Sequence, residues 1–316
     1  MTAIGTSFTR WRAEALGLDY QDAFAQLLGL RLSMIRLSAS WREVAEFGWR
    51  HLDWLLDRAD GAAQPVVLTV GMKALGWPEF YLPEGLDPDA PAVQRQVLGH
   101  VGETVTRFRN RRSIVAWQIE NEPFNRSGPQ ARWIPRAVVR REANAVRALD
   151  STRPVVLTTF GHFSADLDRA SSRHQSDWKR RLGLAAEREA LAVLRRGDIL
   201  GVDVYRSIGW VDAEQIDRIA RADADQIRRL QTWKRIAESQ GKQFWVTEAQ
   251  AEPWEARRAT HGNPLTVAPE DIGSLVDALS GIGVETVLLW GAEYWLWRAA
   301  KGDRRWLDAV VRPALA

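Results

Sequence analysis

The 316-residue sequence contains no cysteine. That absence excludes a disulfide framework, a thiolate zinc site, an iron–sulfur cluster and a cysteine nucleophile. It leaves the compartment open, because a core of this size needs no covalent staple. Runs of like charge are also missing. There are 43 Lys and Arg against 40 Asp and Glu, a net charge of +3, and the basic residues are scattered. The pI near 9.4 is therefore no argument for a nucleic-acid partner. No apolar run approaches the roughly 20 residues that cross a bilayer, so no membrane partner is expected. The opening MTAIGTSF has no basic stretch followed by an apolar one, so no signal peptide is visible. The expectation is a cytoplasmic protein, or a secreted one whose leader has been removed. The five His (51, 100, 162, 174 and 261) show no HExxH or similar spacing, so neither a metal nor a cofactor is expected. A G-x-S-x-G elbow is absent, and so is a Gly-rich phosphate loop after the first strand.

What remains is an ordinary globular composition, 46% hydrophobic and 26% charged, with an unusual 16 Trp. Short apolar runs alternate with amphipathic ones. Strands are expected at 3–8, 34–37, 65–70, 114–119, 154–160, 199–205, 244–247 and 286–290. Helices are expected at 19–30, 49–59, 91–108, 134–149, 178–194, 225–239, 269–279 and 306–311. PVVLTV at 65–70 is a continuous apolar run of the kind that parallel strands covered on both faces require. Eight strand–helix repeats without a linker point to a closed (β/α)8 TIM barrel. The chain from 1 to 316 is expected to form one such domain. Its longest loops follow strand three (71–90), strand five (161–177), strand six (206–224) and strand seven (249–268). All lie at the C-terminal face, where barrel active sites are built. Nothing in the sequence demands an oligomer, and a monomer is compatible with it.

Two carboxylates mark that face. WQIENEP at 117–123 ends strand four with Glu122, and FWVTEAQAEPW at 244–254 ends strand seven with Glu248. Either acid alone reads as a solvated loop residue. Together, in a barrel, the ends of strands four and seven face each other across the mouth. Glycoside hydrolysis needs such a pair, one to protonate the leaving oxygen and one to attack or to activate water.

With Asn121-Glu122, Glu248, Arg36 in MIRLSASW, Tyr205 in VDVYRS and Trp290 in VLLWGAEYW appearing in order, the chain resembles clan A of the glycoside hydrolases. This is a superfamily of retaining (β/α)8 enzymes that includes cellulases and mannanases of family 5. The resemblance implies Glu122 as general acid/base, Glu248 as nucleophile and Asn121 on the sugar 2-hydroxyl. It also implies Arg36 and Tyr205 at the nucleophile and Trp290 as a sugar platform. A positive Arg36 beside Glu248 would favour the ionised form that attack requires. An anionic Glu248 would favour a protonated Glu122. The sequence departs from family 5 at strand three, which ends Val70-Gly71 rather than in a His, and after Glu248, where AQAEPW replaces the EFG-type ending. A divergent member is the reading.

Further contacts to an oligosaccharide or polysaccharide are expected from the loops. Sugar C–H faces stack on aromatic rings, which nominates Trp41, Trp77, Trp210, Trp254, Trp290, Trp295 and Trp297. Trp54, Trp117, Trp233 and Trp245 read as core. Glu252 and Glu293 would either bind sugar hydroxyls or pair with loop Arg, and Lys73 and Glu79 flank the strand-three loop. Glu120 would point inward by strict alternation, so a bulge is expected there to let both Asn121 and Glu122 face the site. A transglycosylase using the same residues, or a non-catalytic carbohydrate-binding barrel, are the competing functions. The identity of the sugar is not written in the sequence.

Overall fold

Strands rich in Val, Ile and Leu close into one barrel. The computed structural model describes residues 2–126, 128, 130–160, 186–257 and 264–315, the last four by backbone alone. The barrel strands are β1 (Ala3–Ser7), β2 (Ile35–Ser38), β3 (Val66–Val70), β4 (Ile114–Ile119), β5 (Val155–Phe160), β6 (Ile199–Val204), β9 (Gln243–Gln250) and β10 (Thr286–Trp290). They run β1-β10-β9-β6-β5-β4-β3-β2 around a closed circuit. Every pairing is parallel. This is the expected (β/α)8 barrel. Each expected strand is present; β4 and β10 have the expected bounds, and β9 runs longer than 244–247 at both ends.

The outer layer includes α2 (Tyr20–Gly29), α4 (Arg50–Gly61), α5 (Pro91–Phe108), α6 (Arg136–Leu149), α7 (Ala186–Leu191), α8 (Gln226–Ser239), α9 (Pro269–Gly281) and α11 (Arg305–Leu315). Asp19 starts α2 by accepting from the backbone N–H of Gln21 and Asp22 at 2.9 and 3.0 Å, which satisfies donors that the first turn leaves open. Part of the fifth expected helix, 178–185, lies outside the described residues, as do the loop 161–177 and residues 258–263 with His261.

Three short helices and a hairpin were not expected. They are α1 (Arg10–Ala15), α3 (Trp41–Phe47), α10 (Ala292–Ala300) and the antiparallel pair β7 (Ser207–Val211) and β8 (Asp217–Arg221). Six or seven residues are too few to show a helical period. In α10 nearly every side chain is buried, so no polar face reveals it.

The outward faces of the strands and the inward faces of the helices form the main core. Trp117 is wholly buried there and donates to Asp150 at 2.9 Å. Inside the barrel floor, Val67, Ala116, Val156, Ile199 and Trp245 form a second apolar layer. Above it the inward positions turn polar, with Arg36, Gln118, Thr158 and Asp203 all buried. The apolar floor and polar ceiling fix where chemistry can occur.

Candidate active site

Strand parity explains most of the site, and two breaks in parity explain the rest. In β9, Trp245 packs inside the barrel while Val246 packs outside. Thr247 and Glu248 then both bond inward, and Ala249 and Ala251 return to the outer core. The register confirms one extra residue: Val202 pairs with Val246, but the next residue, Asp203, pairs with Glu248. Such a bulge re-aims a side chain next to a site. The bulge expected at Glu120 is instead a turn. β4 ends at Ile119, and Glu120 and Glu122 adopt φ of 57° and 45° on either side of Asn121. This left-handed backbone is uncommon for residues with a side chain.

Glu120 is buried beneath the turn and accepts from the backbone N–H of Met72 and Lys73 at 2.9 and 2.5 Å. Its carboxyl occupies the space where a Cβ on Gly71 would fall, 2.2 Å away, and Gly71 itself has φ +124°. Only glycine fits there. Behind Glu120 stands Glu142 of α6, wholly buried. Neither of its oxygens receives an N–H or hydroxyl, and the Glu120 carboxyl is the charge that acts on it most. Burial, then the Glu120 charge, holds Glu142 well above the usual carboxylate range. Burial also raises Glu120, to about 7, against the hydrogen bonds it accepts. Groups raised in the folded state stabilise it at low pH, and that contribution is lost as pH rises from the unfolded value through the folded one. Glu142→Gln is therefore expected to flatten the loss of stability between pH 5 and neutrality. The removed slope is about 1.4 kcal/mol per pH unit per proton. Denaturant midpoints across pH for both proteins check it, and parallel curves would count against a protonated Glu142.

Glu248 is held on both oxygens. Arg36, wholly buried, donates Nη2 to Oε1, and Tyr205 donates its hydroxyl to Oε2 at 2.7 Å. Arg36 is itself fixed by Nε to Ser7 Oγ at 2.9 Å and Nη1 to Gln118 Oε1 at 3.3 Å. Burial, then the Glu248 charge, keeps the Tyr205 hydroxyl protonated far above its ordinary range. Asn121 Oδ1 accepts from Gln118 Nε2 at 3.1 Å and from Arg36 Nη1 at 3.5 Å, so Asn121 is tied to the Arg36 system.

Glu122 differs. Thr158 Oγ1 accepts its backbone N–H at 2.8 Å, and Lys73 Nζ donates to its carbonyl at 2.8 Å. The Lys73 ammonium also pairs with Glu79 at 3.1 Å. Burial, followed by the charges of Asp203, Glu79 and Glu248, drives the Glu122 carboxyl well above its ordinary range, against the pull of Lys73. One carboxylate of the pair is thus matched to a guanidinium, while the other is pressed to keep its proton.

The tryptophans divide. Trp290, Tyr205 and Leu75 form a third apolar cluster, against which Phe160 and the hairpin residues Ile208 and Ala220 pack. Trp254 stands edge-on to Tyr205 at 5.1 Å and is 43% exposed. Trp210 lies on the same face of β7 as Ile208 and is 48% exposed. Trp77 is 61% exposed at the tip of a loop closed by the Lys73–Phe80 bridge. Trp41 corrects an expectation: it stacks on His100 of α5 at 5.6 Å, with Trp49 on the other face of that ring at 6.0 Å. Trp295 and Trp297 are likewise buried in the outer core. Trp295 donates Nε1 to the Ala251 carbonyl at 2.6 Å and Trp297 lies 5.7 Å from Tyr294.

Glu252 takes the charge-pairing alternative, while Glu293 is bonded to Thr9. Glu252 pairs with Arg12 through one oxygen and accepts Trp290 Nε1 at 2.9 Å on the other. Glu293 accepts the backbone N–H of Thr9 at 2.5 Å and its hydroxyl at 3.1 Å. Both are committed to protein partners, and Glu252 bears on the site by fixing Trp290, whose ring lies under Arg12 at 5.2 Å. The residue that the sequence reading missed is Asp203. The signal was there: an aspartate inside ILGVDVY, two positions before Tyr205 and so on its face.

Among the described residues there is no group of three or more His, Cys, Asp or Glu suited to a metal, and no helix long and apolar enough to cross a membrane.

Residues 55–195 match the family described as glycosyl hydrolases family 2, TIM barrel domain. No curated protein matches the sequence. Among solved structures, the fold is similar to the cold-adapted β-galactosidase of Rahnella sp. R3. The identity is 14% and the TM-score 0.55, over 92% of this chain and 50% of that one. It is similar to the exo-β-1,4-mannosidase of Opitutaceae bacterium strain TAV5 at 14% identity and TM-score 0.58, over 92% and 52%. The intracellular xylanase of Thermoanaerobacterium saccharolyticum matches at 15% identity and TM-score 0.55, over 92% and 86%. The chain spans about half the length of the β-galactosidase it matches. The chain thus has a TIM barrel, and its residues 55–195 are similar to the barrel domain of family 2 glycosyl hydrolases.

Proposed function

We propose that the chain is a retaining glycosidase that cleaves a β-linked oligosaccharide or polysaccharide by double displacement, with the barrel as a single catalytic domain. One observation carries the reading: two buried carboxyls at the mouth differ in electrostatic setting. Glu248 is matched to Arg36 and accepts from Tyr205, while burial and surrounding anions keep a proton on Glu122.

Glu248 attacks the anomeric carbon as Glu122 gives its proton to the leaving oxygen. The bond between that carbon and the leaving oxygen breaks, and a glycosyl ester to Glu248 forms. Esterification removes the Glu248 charge, one of the influences that favoured protonated Glu122, so Glu122 can now act as base. Water loses a proton to Glu122 and adds to the anomeric carbon, releasing Glu248. Asn121 offers its amide to the 2-hydroxyl, a contact that strengthens as the transition state forms. Trp254, Trp290 and Trp77 supply stacking surfaces.

The test uses leaving groups. Glu122→Ala is expected to lose about 10²–10⁴-fold in kcat/KM on a glycoside with a poorly acidic leaving group. On a dinitrophenyl glycoside, which departs without protonation, the loss should be far smaller. Equal losses on the two substrates would remove Glu122 from the acid role. A panel of nitrophenyl glycosides and polysaccharides, read by product size, identifies the sugar.

A further inference from the structure

Asp203 ends the polar interior of β6 and is wholly buried. The bulge in β9 sets it in register with Glu248. Thr247, the extra residue of that bulge, donates its hydroxyl to Asp203 Oδ1 at 2.6 Å. The other oxygen, Oδ2, is buried and meets no N–H or hydroxyl donor among the described residues. Among the charges that bear on the Glu122 carboxyl, that of Asp203 comes first, and both side chains are buried. Two carboxylates repel, so a bond between them requires a proton on one.

The surrounding charges make that proton necessary. Facing Asp203 are Glu248 and Thr247 from β9, Arg36 from β2, Tyr205 from the end of β6 and Glu122 from the end of β4. β5 presents Phe160 opposite it in the ladder. Arg36 is paired to Glu248, and Lys73, which acts on Glu122 from the strand-three loop, is paired to Glu79. Glu122 and Asp203 are left as two buried acids beside two ion pairs that already balance.

We propose that Asp203 is a positioning residue for Glu122, the two carboxyls holding a proton between them and titrating as a pair. This rests on the reading of Glu122 as general acid/base. In the resting protein Glu122 carries the proton and donates it to Asp203, so the acid is both charged with its proton and fixed in direction. On glycosylation the proton leaves Glu122 for the departing oxygen. Asp203 then faces an anionic Glu122, and the repulsion between the two favours recapture of a proton from water in the second step. Burial, with the Glu248 charge adding to it, also raises Asp203 above the usual carboxylate range, the direction expected where two buried acids compete for one proton.

Asp203→Asn keeps the shape, removes one acid and its repulsion, and offers Glu122 an amide N–H. The alkaline limb of kcat/KM against pH is expected to move toward acid by about one pH unit, while the acid limb stays. A purely structural role would lower activity at every pH without moving the limb. Carbon-13 carboxyl titration of Glu122 provides a readout that needs no turnover. The wild-type signal should titrate in two steps shared with Asp203, and the Asp203→Asn signal in one step at lower pH. An unmoved limb together with an unmoved Glu122 titration, in a variant that folds, overturns the proposal. Should the wild-type protein turn over no glycoside, the reading of its function falls, and the carboxyl titration still decides whether the pair exists.

Discussion

Glu248→Ala is expected to lose on the order of 10⁵-fold or more in turnover of an aryl β-glycoside, as removal of a covalent nucleophile does elsewhere. No neighbouring group can take over. Tyr205 is kept protonated by burial and by the Glu248 charge, and Asp203 is turned toward Thr247 and Glu122. The cavity left by the side chain is lined by the donors that held it, Arg36 Nη2 and the Tyr205 hydroxyl. Those donors suit a small anion. Added azide is therefore expected to restore activity and to give a glycosyl azide of inverted configuration, identified by the anomeric coupling constant. Rescue with retained configuration, or near-normal activity without azide, would remove Glu248 from the nucleophile's role.

The second large effect belongs to Arg36. Its side chain is wholly buried and its partner Glu248 nearly so. Breaking a buried pair by removing one partner costs about 3–5 kcal/mol, because the other charge is left without compensation. Arg36→Met should therefore lower the denaturant midpoint sharply. It should also abolish activity at neutral pH, since an uncompensated buried carboxylate takes up a proton and a protonated Glu248 cannot attack. Arg36→Lys separates charge from geometry. A lysine restores the charge but cannot reach Ser7 Oγ, Gln118 Oε1 and Glu248 together, as the planar fork does. Intermediate stability with activity still strongly reduced is the expected outcome. Wild-type stability in Arg36→Met would show that the pair contributes nothing to the fold.

The barrel and half of its site were legible because they follow from period and order. Eight apolar runs separated by amphipathic ones leave little choice of topology, and the ends of strands four and seven must then oppose each other. Arg36 and Tyr205 are implied only by the resemblance to clan A, and the structure brings both to Glu248. What escaped lies where period fails. Trp41, Trp295 and Trp297 sit near strand ends in sequence, but short helices turn them into the outer core. The β7–β8 hairpin is carried by an ordinary loop composition without an Asn-Gly or Asp-Gly turn. Asp203 stands in an apolar strand and Glu142 on an Arg-rich helix, and each gains meaning only beside a second carboxyl from an element distant in the chain.

The bulge in β9 has a consequence for how such a protein can change over generations. Val246, Ala249 and Ala251 face the outer core, whereas Trp245, Thr247, Glu248 and Gln250 turn inward. The nucleophile's direction is thus a matter of counting: one residue beyond plain alternation lets Thr247 and Glu248 share a face. A conservative exchange at Thr247 leaves that count intact. Loss of a single codon at the same place restores plain alternation and turns either the carboxylate or the packing residues after it to the wrong side. An exchange of side chain on this strand therefore leaves the direction of Glu248 unchanged, whereas a change of length does not.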